Sequence, residues 1–178
     1  MPESDFQESW AVLGAISDAI IESNDEAELY FVRYEVSGWP DWYLKLISQI
    51  YAAVRTSAIQ YATSNIVSTS DPQGEVILFT DKLVVSASVG RHPERTDYPV
   101  VTVTAWRRSD LVDVAIAEVD AYPTKAVHYA RPWPKWVSIT RAYRDRPVIV
   151  LPLSRRPSHD AQLTLVDMYG RLIDDLLA

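Results

Sequence analysis

Apolar residues recur at three- and four-residue spacing near both ends of the chain and at two-residue spacing between. Over residues 4–23 the stripe is Phe6, Trp10, Leu13, Ile16 and Ile20, behind a Ser4–Gln7 capping box. This spacing predicts a helix that Asn24 and Asp25 end. Residues 28–36 alternate instead. Tyr30, Val32, Tyr34 and Val36 fall on one face, Arg33 and Glu35 on the other, which predicts a strand broken by Ser37-Gly38. A second helix is expected from Pro40 or Asp41, since proline is tolerated in a first turn. Its stripe runs Tyr43, Ile47, Ile50, Val54, Ala58 and Tyr61, and it should end before Asn65. The turn-rich stretch 64–74 (SNIVSTSDPQG) is the clearest internal boundary.

Beyond it the period becomes two. Strands are expected at 75–80, 82–89, 99–106, 111–119, 125–130, 136–143 and 147–153, with Thr80-Asp81 as a tight hairpin turn. Residues 90–98 read as a polar loop, and 131–135 (RPWPK) as a proline-bounded turn. The connections are short, which suits antiparallel meanders, because a parallel pair needs a crossover of about a dozen residues. Pro157 and Ser158 open a last helix over 158–177, with Leu165, Tyr169, Leu172 and Leu176 as its stripe. The expected class is α+β: two N-terminal helices with an intervening strand, then an antiparallel sheet or partly closed barrel of about seven strands capped by a C-terminal helix. The 178 residues suit one domain, with residues 1–70 as a helical N-terminal arm and 75–178 as the antiparallel β region with its helix.

Seven short strands closed by a C-terminal amphipathic helix resemble the pleckstrin-homology-like barrel. The segment Glu75–Val85 (EVILFTDKLVV) is similar to the opening hairpin of bacterial PH-like and GRAM-like domains, and Trp106–Val114 (WRRSDLVDV) to their turn into the middle strands. The resemblance covers about residues 75–177. It implies a platform for lipid headgroups, peptides or partner proteins, without catalysis. It transfers no functional residue, because no ligand motif of the family is present.

Composition narrows the chemistry. Cysteine is absent, so disulfide scaffolds, thiol enzymes and Cys-ligated metals are excluded. Apolar residues make up 48%, yet no run approaches the roughly 18 that a membrane span needs. The acidic start (Glu3, Asp5, Glu8) does not read as a signal peptide, and a cytoplasmic location is expected. Gly14, Gly38, Gly74, Gly90 and Gly170 stand alone and form no phosphate-cradling loop. Ser158-His159-Asp160 are chain neighbours and cannot converge as a catalytic triad, so a helix start is the better reading. His92, His128 and His159 lie far apart, and no metal site or cofactor is expected.

The charge is unevenly spread. Residues 1–90 carry 4 basic and 13 acidic side chains, residues 91–156 carry 12 and 7, and residues 157–178 carry 1 and 4. The net −7 therefore divides into −9, +5 and −3. An acidic total disfavours nucleic acid and anionic membranes. The arginine-rich middle suits carboxylate or phosphate recognition, unless it pairs with the chain's own acids. Trp39, Trp42 and Trp133 sit beside prolines in predicted turns, and exposed tryptophan beside arginine is the composition of interface hot spots. The candidate binding residues are Trp39, Trp42, Arg107, Arg108, His128, Arg131, Trp133, Trp136, Arg141 and Arg144. No catalytic residue is assigned. The expected function is a non-enzymatic interaction module, binding a protein partner or itself as a homodimer. The alternative is a protein or enzyme for an anionic small molecule, with an aromatic pocket of Tyr34, Trp42, Trp106, His128 and Tyr143.

Overall fold

A computed structural model describes residues 3–24, 39–66, 71–92, 99–119 and 136–177. Two helices come first: α1 (Glu3–Glu22) and α2 (Asp41–Val54). Four strands follow, β1 (Tyr61–Ser64), β2 (Gly74–Phe79), β3 (Leu83–Arg91) and β4 (Pro99–Arg107), then a 3-10 turn (Arg108–Asp110). The chain continues with β5 (Leu111–Val119), β6 (Val137–Tyr143), β7 (Ile149–Leu151) and α3 (His159–Leu177). The α+β class and the antiparallel pairing are as expected. The described strands form two open meanders, β1-β2-β3-β4 and β5-β6-β7, and not a seven-stranded barrel. The strands expected at 28–36 and 125–130 and the turn at 131–135 lie outside the described residues.

The second helix is shorter than its stripe suggested. Arg55 takes a positive φ of 53° and its N–H donates to the Tyr51 carbonyl, which closes the helix at Val54. Tyr61 continues the three-four spacing of α2 yet belongs to β1, where it pairs with Phe79. At Thr80 the expected hairpin turn forms. The hydroxyl accepts the Leu83 N–H at 2.9 Å, and the Thr80 N–H donates to the Leu83 carbonyl at 2.9 Å.

Strand alternation gives the four-stranded sheet two buried faces. Ala62, Val76, Leu78, Val85, Ala87, Val89 and Val101 face one way, against Ile16, Ile20 and Ile21 of α1 and Tyr43, Leu46, Ile47 and Ile50 of α2. Tyr61, Ile77, Phe79, Val84 and Trp106 face the other way. There they meet Leu111, Val137, Ile139, Tyr143 and Leu151 of the smaller sheet and Leu165, Met168 and Leu172 of α3. The order of layers is helix pair, four-stranded sheet, then the three-stranded sheet with α3. Ser158 caps α3, its hydroxyl accepting the Ala161 N–H at 3.1 Å, which leaves Ser158-His159-Asp160 as a helix start.

Candidate functional site

The inner layer between the two sheets holds an unusual polar group. β6 alternates buried and half-buried positions, and its buried face reads Val137, Ile139, Arg141, Tyr143. Arg141 therefore points into the core by simple strand parity. It is 0% exposed. Its guanidinium carbon lies 4.1 Å from the centre of the Phe79 ring, a cation–π contact across the layer. None of its three nitrogens has a hydrogen-bond partner among the described residues. The Tyr61 and Tyr143 hydroxyls and the Trp106 indole nitrogen are also buried without partners. These side chains are contiguous. Trp106 and Tyr143 meet edge to face at 5.7 Å, and Tyr61 and Phe79 lie 6.1 Å apart.

Burial governs the electrostatics. It lowers the Arg141 guanidinium to about 10, so the group stays charged at neutral pH. It raises the Tyr61 and Tyr143 hydroxyls to about 12.

Arg108, beside this layer, is fully satisfied. Its Nε and Nη2 donate to one Asp175 carboxylate oxygen at 2.8 and 2.6 Å, and Nη1 donates to Gln60 Oε1 at 2.6 Å and the Thr80 carbonyl at 2.8 Å. The 3-10 turn is thereby clamped to α3, to the segment before β1 and to the β2–β3 turn. Two openings flank the layer. One, of about 170 Å³, is lined by Gln60, Tyr61, Thr164 and two acids, Glu22 and Asp160. The other, of about 430 Å³, is lined by Lys82, Arg107 and Arg108 with Asp81 and Asp175.

The β5 margin of the smaller sheet is the second candidate. β5 is its margin, and seven of its nine residues are exposed. Ile116 pairs with Ile139 and so shares its face, yet Ile116 is 48% exposed where Ile139 is 0%. The strand overhangs the core. Val112, Val119, Val148 and Val150 add further exposed aliphatic side chains on β5 and on or just before β7.

The sequence candidates divide accordingly. Arg108 and Arg141 are interior, so neither belongs to an exposed basic surface. Trp42 is buried and packs edge to face on Tyr43 at 5.4 Å, and half-buried Trp39 does the same at 5.2 Å. Their aromatic cluster serves the helix layer. Trp136 is half-buried, while Arg107 and Arg144 are exposed. The Arg144 N–H donates to the Asp110 carbonyl at 3.0 Å and the Arg108 N–H to the Lys82 carbonyl at 2.8 Å, which gathers these basic positions at one end of the sheets. His128, Arg131 and Trp133 lie outside the described residues. Of the expected aromatic pocket, Trp106 and Tyr143 do come together, whereas Trp42 belongs to the opposite face of the larger sheet. Sequence reasoning missed Tyr61, Phe79, Asp175 and Ile116. For Arg141 the signal was present, since strict alternation over 137–143 places it among Val137, Ile139 and Tyr143.

Among the described residues no three His, Asp or Glu side chains cluster as metal ligands. No described helix is long and apolar enough to cross a membrane. No protein-family model matches the chain, and no curated protein is similar to it.

Proposed function

We propose that the chain is a non-enzymatic interaction module that associates with a second copy of itself through the β5 margin of the β5–β6–β7 sheet. The observation that carries this reading is β5 itself, a nine-residue aliphatic strand exposed along nearly its whole length at a sheet margin. Exposed apolar edges invite pairing, and a protein that keeps one normally covers it. Both signs of charge are exposed on or near the smaller sheet, with Asp113 and Glu118 on β5 and Arg144 and Arg146 in the segment after β6. A two-fold axis can set each sign of one copy against the other sign of its partner.

The contact surface is aliphatic rather than the Arg/Trp surface expected from sequence, because Arg108, Arg141 and Trp42 are consumed inside.

Light scattering of the full chain at about 0.05 M and about 0.5 M salt tests the reading. A dimer mass at both is expected, because the contact is mainly apolar, and Ile116→Glu with Val119→Lys should reduce it to a monomer that keeps its circular dichroism. A monomer under both salts, or a dimer untouched by the double variant, contradicts it.

A further inference from the structure

Arg141 is a cation without a counter-charge. Asp175 is already bound to Arg108 by two hydrogen bonds, so that pair is neutral and leaves the Arg141 charge uncompensated. Taking a charge out of water without a partner costs several kcal/mol. Proteins rarely carry that cost for nothing. A replacement by Met would fill the same space among Phe79, Ile139 and Tyr143 with no such penalty.

The chemistry around the guanidinium is one-sided. Arginine and indole nitrogens can only donate, and the two tyrosine hydroxyls can donate as well. Arg141 Nε, Nη1 and Nη2, Trp106 Nε1, Tyr61 Oη and Tyr143 Oη supply donors in one layer, and none meets an acceptor among the described residues. Phe79 covers one face of the guanidinium, which leaves its N–H groups to bond in the plane. A buried cation and an indole that can only donate, beside two hydroxyls able to donate and with apolar neighbours, suit a small anion.

We propose that Arg141 anchors a binding site for a small monovalent anion, a halide or an oxyanion the size of formate, with Tyr61, Tyr143 and Trp106 as its other donors. The burial of Arg141 sets the size, because a large ligand would separate the sheets. The charge of the two openings sets the route. The opening at Tyr61 carries Glu22 and Asp160 and repels an anion, whereas the other carries three cations, Lys82, Arg107 and Arg108, against Asp81 and Asp175. The anion enters beside Arg107. The site is independent of the self-association proposed above.

The test is a thermal melting series on the full chain, with sodium chloride replacing sodium gluconate at constant ionic strength. Wild type should show a rise that grows with the logarithm of chloride concentration, roughly 5–10 °C once chloride exceeds its dissociation constant a hundredfold. Bromide and formate should reproduce it, and sulfate at the same ionic strength should not. Arg141→Met should fold and lose the chloride response. If that variant does not fold, Tyr61→Phe serves instead and should weaken chloride binding about fivefold to tenfold. A flat wild-type series, a rise equal in sulfate, or a response unchanged in both variants would overturn the proposal.

Discussion

The Arg141 guanidinium carbon rests 4.1 Å from the centre of the Phe79 ring, so the two sheets touch at a charge lying on an aromatic face. Phe79 is 0% exposed and also packs against Tyr61. Phe79→Leu removes the ring while keeping an apolar side chain. We expect it to cost about 2 kcal/mol, from a partly filled cavity and the lost cation–π contact. Urea unfolding followed by far-ultraviolet circular dichroism measures the loss, and a change below about 0.5 kcal/mol would show that the stack contributes little.

The Arg108–Asp175 clamp ties the 3-10 turn to the last turns of α3. Arg108 is buried, and Arg108→Met strands the Thr80 carbonyl, Gln60 and Asp175 together. The expected loss is about 3 kcal/mol. Asp175→Asn keeps an acceptor for Arg108 and leaves more solvent contact, so its loss should be smaller. The order of the two urea midpoints checks this, and a reversed order contradicts the assignment.

Alkaline pH should unfold the protein through its buried tyrosines. In the unfolded chain Tyr61 and Tyr143 lose their protons near 10, while burial holds the folded groups to about 12. Below 10 both states are neutral and the contribution is complete. Between 10 and 12 only the unfolded chain ionises, so stability falls as pH rises. Tyr43, raised in the same direction by burial, adds to the fall. Arg141 acts in the opposite sense, because its folded value of about 10 lies below the usual 12.5. The tyrosines outnumber it. Urea midpoints should drop from about pH 9.5 to about pH 11.5, and the drop should be shallower in Tyr143→Phe.

Two glycines should respond in opposite directions. Gly74 has φ +146°, and an added Cβ would sit 2.8 Å from Ile66 Cα. Gly74→Ala should cost about 2 kcal/mol. Gly170 lies within α3 with nothing within 4 Å of an added Cβ. Gly170→Ala should stabilise by about 1 kcal/mol through helix propensity. Thermal midpoints of the pair would rise for one and fall for the other.

Much of the fold follows from local pattern. The stripe from Ile16 to Ile20 and the alternation over 111–119 and 137–143 correspond to α1, β5 and β6, because each buries a face that its period dictates. The end of α2 did not follow, since the stripe runs on to Tyr61 and only the positive φ of Arg55 and the pairing of Tyr61 with Phe79 decide otherwise. The split into two sheets falls at the 3-10 turn that Arg108 opens, and its partners Gln60, Thr80 and Asp175 are brought together by tertiary structure alone. Arginine count read as a surface property failed for the same reason. Arg141 sits on the apolar side of its strand, and parity outweighed residue type.

The central claim is that β5 is covered by a second copy. Amide hydrogen exchange over residues 111–119, compared between concentrated and highly diluted full-length protein, tests it most directly. We predict slower exchange along β5 in the concentrated sample, with α1 and α2 unchanged. Equal exchange of β5 at both concentrations would contradict it.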